Sequence, residues 1–279
     1  MSALLDFRWS PFDLWQTLLD LSVQQGGVLK VQDDLGGAAE VGLPAALLPY
    51  EKLDALINLT DLRQVERSAK HKRGRAHGTR QLAQVTTLWI HQTAALLGSP
   101  DRFMSVPAHC GVDLQAGGIL MHPLRAYMYH AQKANRFTVG MEVACRAAGI
   151  EGDPLTFWRS RKEKKSGRFY SELVREATDD QLVTAQHLVA YYIEEVDRQA
   201  RPLRDQGIDV PGIVAIGTHR NSHKSRTGDP GSRIYEHVVQ WAIREYGLQP
   251  GPIVGSGVAS PTAWTGEGAV RYSGRVRGY

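Results

Sequence analysis

Cysteine is scarce in this sequence, since only Cys110 and Cys145 occur among its 279 residues. This scarcity excludes a small secreted scaffold held together by disulfide bonds. Long apolar runs are missing as well. No stretch reaches the roughly 18 consecutive apolar residues that a transmembrane helix needs. The first residues also lack the basic segment that precedes the apolar core of a secretory signal peptide. We therefore expect a protein that is cytoplasmic as synthesised and is not inserted into a membrane.

The excess of positive charge is small, with a net charge of +4. The basic residues concentrate in two runs, at 69–80 and 158–168. Such runs are typical of solvated loops or linkers, and we interpret both in this way. A nucleic-acid-binding segment would carry interleaved aromatic residues or a known reading motif, and neither run does.

Composition and hydrophobic pattern divide the chain into three parts. Residues 1–80 predict a mostly helical N-terminal extension, with one helix beginning at Pro11 and another over 50–68. Residues 81–248 alternate strand and helix patterns, which predicts an α/β (α+β) domain. Residues 249–279 are rich in glycine, serine and proline, and we expect an irregular C-terminal tail.

The strand patterns of the central domain are the clearest. The β-branched and aromatic segment "QVTTLWIHQTA" predicts a buried strand. Gly117 and Gly118 predict a hairpin turn before "ILMH". In "FTVGMEVA" the side chains alternate, so Val139 and Met141 face one side of the sheet and Glu142 the other. An acid on an otherwise apolar or small-residue strand indicates a functional group.

Two helices are expected after these strands. Thr178 and Gln181 have the spacing of a capping box at the start of a helix over about 178–200. The last helix is expected over 232–246, and Gly247 is placed to end it.

Three potential metal ligands lie where strands end or loops begin. His91 ends the first predicted strand of the domain, and His219 and Asp229 flank a polar segment after "GIVAIG". Two imidazoles and a carboxylate form a catalytic zinc set with one position left for water. Zinc lowers the pKa of such a water and polarises a carbonyl, and Glu142 would act as the general base. A histidine at a strand end is more often structural, so residue types alone leave both interpretations open.

Four segments together resemble the zinc-dependent N-acetylmuramoyl-L-alanine amidases, which share the peptidoglycan-recognition-protein fold. These segments are "LWIHQTA", "VPAHCGVDLQAGGIL", "AYMYHAQKANRFTVGMEV" and "GTHRNSHKSRTGDPG", within residues 84–248. The resemblance implies a central mixed β-sheet flanked by helices. It also implies a zinc ion held by His91, His219 and Asp229, with Glu142 activating the water.

One position departs from the family pattern. Many members carry a lysine two residues before the metal-binding acid, where this chain has Thr227. A neutral hydroxyl donates a weaker hydrogen bond than a charged group. Either Thr227 stabilises the oxyanion, or Arg226 or Lys224 supplies the charge. We expect Arg226 to contact substrate in either case.

His109 and His130 match family positions that are not ligands. We interpret His130 and Asn135 as lining the cleft and contacting muramyl or peptide groups, and a purely structural role for His130 stays open.

The resemblance implies hydrolysis of the amide between N-acetylmuramic acid and the L-alanine of the stem peptide. We expect peptidoglycan or a muropeptide as the partner and an endolysin-like, cell-wall lytic role. The alternatives are a cytoplasmic muropeptide-recycling amidase and a non-catalytic peptidoglycan sensor on the same fold. The basic run at 158–168 is either a mobile loop or a cleft rim that attracts anionic wall polymers.

Overall fold

The chain divides into two compact units, Met1–Pro49 and Tyr50–Tyr279. The computed structural model describes residues 28–32, 38–42, 58–147, 175–261 and 264. The helix expected at Pro11 and the basic run at 158–168 lie outside these residues. In the first unit, β1 (Val28–Gln32) pairs antiparallel with β2 (Ala38–Gly42).

The second unit contains a mixed sheet of seven strands in the order β3-β6-β5-β7-β4-β8-β9. The strands are β3 (Leu59–Asp61), β4 (Thr87–Gln92), β5 (Cys110–Val112), β6 (Gly118–Leu120), β7 (Thr138–Val143), β8 (Ala215–Thr218) and β9 (Gln249–Pro250). Strand β4 lies between β7 and β8 and is parallel to both. Strands β5 and β6 are antiparallel and form the expected hairpin, but its turn lies at 113–117 and Gly118 already begins β6.

Helices cover the sheet, so the expected mixed α/β architecture is confirmed. They are α1 (Pro100–Phe103), α2 (Asp179–Arg204) and a C-terminal helix formed by an α segment (Ser232–Ile234), a π segment (Tyr235–Gln240) and a second α segment (Trp241–Tyr246). The capping box of Thr178 and Gln181 is confirmed, and Gly247 ends the last helix with a φ of 63°. Among the described residues, no helix is long and apolar enough to cross a bilayer.

The two faces of the central strands have different roles. Leu88, Ile90, Val139 and Met141 pack with α2 in one buried apolar cluster. Each such side chain stabilises the fold by about 1.5–3 kcal/mol. Because side chains alternate along a strand, His91 and Glu142 lie on the opposite face. The sheet therefore holds the reactive side chains on the face turned away from α2.

Two sequence expectations need correction. The helix expected over 50–68 is wrong in its described part, because residues 59–61 form β3 and pair parallel with β6. The hydrogen bonds of the sheet outweigh the weak helical pattern of this segment, and Thr60 is β-branched and favours extended backbone. The tail expected to be irregular from residue 249 instead begins with β9, which pairs with β8.

Candidate metal centre

His91 is the second-to-last residue of β4 and lies opposite Glu142 of β7 in the parallel register. Neighbouring strands on both sides bury it completely. Its Nε2 lies 3.0 Å from Nδ1 of His130. Its Nδ1 is buried and has no partner among the described residues. Burial and the adjacent imidazole of His219 lower the pKa of His91 well below its usual range, so the ring stays neutral and keeps a lone pair for a ligand bond.

The loop after β8 brings His219 and Asp229 together. His219 follows the last residue of β8, and the loop folds back so that the Arg220 N–H donates to the Asp229 carbonyl at 3.1 Å. His219 Nδ1 then lies 2.9 Å from Asp229 Oδ2. The second carboxylate oxygen, Oδ1, accepts the backbone N–H of Gln92 at 2.9 Å. This last bond ties the loop to β4 beside His91.

The C-terminal tail fixes the same loop from outside. The N–H groups of Val254 and Val258 donate to the carbonyls of Asn221 and Arg220, at 2.9 and 3.0 Å. The Arg220 guanidinium lies over the buried Trp264 ring, 5.3 Å from its centroid. The position of His219 therefore depends on contacts with residues more than thirty positions later in the chain.

His91, His219 and Asp229 can bind one metal ion together. One ligand atom from each residue lies within 4.8 Å of the others. The buried Nδ1 of His91, which no described residue satisfies with a hydrogen bond, supports this interpretation, because buried polar atoms ordinarily have partners. Two imidazole nitrogens and a carboxylate oxygen are a donor set that suits zinc and leaves a coordination position open.

Glu142 lies beside this cluster. Its Oε2 is buried and has no partner among the described residues. Burial, together with the negative charge of Asp229, raises the pKa of Glu142 to about 8, against the opposing positive charge of Arg226. Strand β7 thus presents to the cleft a carboxyl group that forms no ion pair with any residue that the structure describes.

A cleft of about 720 Å³ opens over the cluster. Its floor includes Glu142 and Asp229, and three arginines, Arg73, Arg102 and Arg226, are among its walls. A cleft of this volume accommodates a small ligand or one end of a larger one.

The loop contributes Arg226, and not Thr227, to this cleft. Besides His219 and Asp229, the described loop residues that line the cleft are His223, Ser225 and Arg226. The carbonyl of Thr227 points to another group, because it accepts a hydrogen bond from the Arg220 guanidinium. Lys224 is exposed and does not line the cleft. Of the three candidates for oxyanion stabilisation, Arg226 is the one whose position suits the role.

His130 and Asn135 line the cleft as expected, but their polar atoms contact the protein itself. His130 Nδ1 lies against His91 Nε2, and His130 Nε2 lies 3.0 Å from Thr138 Oγ1. Asn135 Oδ1 accepts the backbone N–H groups of His130 and Ala131 at 2.9 and 2.7 Å. The structure places both residues behind His91, the candidate ligand, where His130 contacts its ring.

Sequence reasoning missed two supporting side chains, Gln92 and Thr138. The Gln92 amide donates to the Gly228 carbonyl at 2.8 Å and accepts the Ala147 N–H at 2.7 Å. The only available signal was position, since each residue is a polar side chain on a strand that is buried on both faces.

No family model matches the sequence, and no curated protein does. Several solved structures are similar at low identity. The endolysin N-acetylmuramoyl-L-alanine amidase LysCS from Clostridium intestinale URNW is 11% identical with a TM-score of 0.38, and the match covers 68% of this chain and 97% of that one. Drosophila PGRP-LB is 14% identical with a TM-score of 0.39, and the match covers 68% and 96%. Drosophila peptidoglycan recognition protein SD is 11% identical with a TM-score of 0.38, and the match covers 71% and 99%.

Proposed function

We propose that this protein is a zinc-dependent N-acetylmuramoyl-L-alanine amidase. It hydrolyses the amide between the lactyl group of N-acetylmuramic acid and the L-alanine of the stem peptide. The observation that carries the proposal is the convergence of His91, His219 and Asp229 within 4.8 Å, with His219 and Asp229 lining a cleft and His91 buried directly behind them. The four sequence segments that resemble this amidase family contain all three residues.

The three ligands hold the ion in the proposed enzyme. When bound, zinc supplies an acidified water and a Lewis acid for the scissile carbonyl. The Gln92 N–H fixes one oxygen of Asp229, so the carboxylate keeps its orientation towards His219. Such contacts to the ligands maintain the geometry on which metal affinity depends.

Glu142 and Arg226 act on the substrate. Glu142 accepts the proton of the attacking water and returns it to the nitrogen of the leaving amine. Its Oε2 supports this role, because no described residue competes for this oxygen with a hydrogen bond. Arg226 donates N–H groups to the carbonyl oxygen as it becomes negative. A charged donor of this kind supplies what the lysine of many family members supplies.

Mass spectrometry of digested cell wall tests the proposal. Purified protein is incubated with intact peptidoglycan sacculi and, separately, with soluble anhydro-muropeptides, each with and without a chelator. We expect free L-alanine amino termini and muramic acid residues that carry a free lactyl carboxylate, and we expect both products to disappear with the chelator and return with zinc.

The same experiment separates the alternatives. Cleavage of sacculi supports a lytic, endolysin-like role, whereas cleavage of the soluble muropeptide alone supports a recycling enzyme. Binding to sacculi with zinc present and no new termini would contradict the amidase and leave a peptidoglycan sensor.

A further inference from the structure

Thr138, His130 and His91 form a chain of hydrogen bonds that runs from the sheet to the metal cluster. Thr138 begins β7, His130 lies in the preceding loop, and His91 belongs to the neighbouring strand β4. All three side chains are buried. Water therefore does not compete for their hydrogen bonds, and each proton in the chain has a defined position.

The direction of the first bond follows from the Thr138 hydroxyl. Its Oγ1 lies 2.8 Å from the Ala134 carbonyl, which can only accept. The single hydroxyl proton is therefore used there. The second contact of Oγ1 is with His130 Nε2 at 3.0 Å, and in this contact the hydroxyl accepts. His130 must therefore carry its proton on Nε2.

The next bond takes its direction from the first. A neutral imidazole that is protonated on Nε2 has a lone pair on Nδ1. His130 Nδ1 lies 3.0 Å from His91 Nε2, so His91 donates and carries its own proton on Nε2. The lone pair of His91 is then on Nδ1, which is the buried atom without a partner among the described residues.

Two local features keep the His130 ring in this position. A Cβ added at Gly140 would lie 2.5 Å from His130 Nδ1, so only glycine leaves room for the ring against β7. The Asn135 side chain accepts two successive backbone N–H groups, of His130 and Ala131, and so fixes the loop. The ring is therefore positioned by packing as well as by hydrogen bonds.

We propose that Thr138 and His130 are positioning residues that set the tautomer of His91 and select Nδ1 as its metal-binding nitrogen. The inference builds on the proposed zinc site. It assigns to Thr138 and His130 the support that a carboxylate or backbone carbonyl usually gives to a metal-binding histidine.

Nitrogen-15 NMR of the metal-free wild-type protein tests the tautomers directly. We expect His91 and His130 both to be protonated on Nε2. A proton on Nδ1 of His91 would overturn the inference. This measurement requires neither zinc nor activity, so it stands even if the protein proves not to be an amidase.

Three variants test the effect on metal affinity. Thr138→Val keeps the shape of the side chain and removes the hydroxyl, whereas Thr138→Ser keeps the hydroxyl. Thr184→Val is the matched control, since the buried Thr184 hydroxyl donates to the Ala116 carbonyl at 2.7 Å, away from the cleft. The dissociation constant for zinc is measured for each by competition with a chelator.

We expect Thr138→Val to bind zinc about 10-fold more weakly. This is the lower end of the loss in metal affinity that follows when a hydrogen bond supporting a metal-binding residue is removed. In the same variant, the His91 NMR signals should indicate a mixture of tautomers. Thr138→Ser and Thr184→Val should keep the affinity of the wild type. Unchanged affinity and tautomer in Thr138→Val would overturn the inference, and so would an equal loss in Thr184→Val. If the wild type itself bound no zinc, the proposed function would fail separately.

Discussion

Protonation of His122 should destabilise the protein in mild acid. Its Nε2 lies 2.7 Å from the Gly74 carbonyl, beneath the segment that brings Arg73 to the cleft. Burial, together with the positive charge of Arg67, lowers the pKa of His122 from 6.5 to about 4. Because the folded-state pKa is below the unfolded value, the unfolded chain binds the proton more tightly. The contribution to stability is therefore complete above pH 6.5 and is lost as the pH falls towards 4.

The magnitude follows from the two pKa values. Between about pH 7.5 and pH 5, this one group should cost about 2 kcal/mol of unfolding free energy. His122→Gln keeps a donor for the Gly74 carbonyl and does not titrate. Urea denaturation of both proteins at the two pH values, with a chelator present, should therefore show about 2 kcal/mol more acid destabilisation in the wild type.

Other buried histidines titrate in both proteins and cancel in this comparison. Equal acid destabilisation of the wild type and His122→Gln would refute the reasoning. The result would mean that His122 is accessible to protons in the folded state without loss of its contact to Gly74.

Three further predictions concern the cleft and its support. Glu142→Gln should retain zinc and lower kcat by about 10²–10⁴-fold, the usual contribution of a general base, and full activity with zinc bound would exclude Glu142 from that role. Arg226→Ala should lower kcat by about 10²-fold through loss of an oxyanion donor. Thr227→Ala should keep a kcat near that of the wild type. If steady-state assays showed the larger loss in Thr227→Ala, the oxyanion role would return to Thr227. Gln92→Leu should lower the unfolding free energy by about 2–5 kcal/mol, because the Gly228 carbonyl and the Ala147 N–H each lose a buried partner. An unchanged midpoint of urea denaturation would contradict this prediction.

The local sequence pattern was sufficient to predict the strands and helices that bury one face. The alternation of Val139 and Met141 with Glu142 predicts β7 and its two faces, and the structure confirms both. The capping box at Thr178 places the start of α2 for the same reason, since its signal lies within four consecutive residues. These elements are encoded by neighbours in the chain.

The parts of the fold and of the candidate site that the sequence did not predict depend on partners that are distant in the chain. Strand β3 forms where the local pattern favours a helix, because β6 supplies its hydrogen bonds. The tail from residue 251 has no periodic pattern, yet its N–H groups fix the loop that carries His219. The contact between His91 and His130 spans 39 positions and exists only once β4 and β7 pair. No local rule places such contacts.

Anomalous diffraction from crystals grown with zinc tests the central claim most directly. The account predicts one strong peak at the floor of the cleft, about 2.0–2.2 Å from His91 Nδ1, from a ring nitrogen of His219 and from an Asp229 oxygen. Zinc bound elsewhere, or no zinc in the cleft at a saturating concentration, would contradict it.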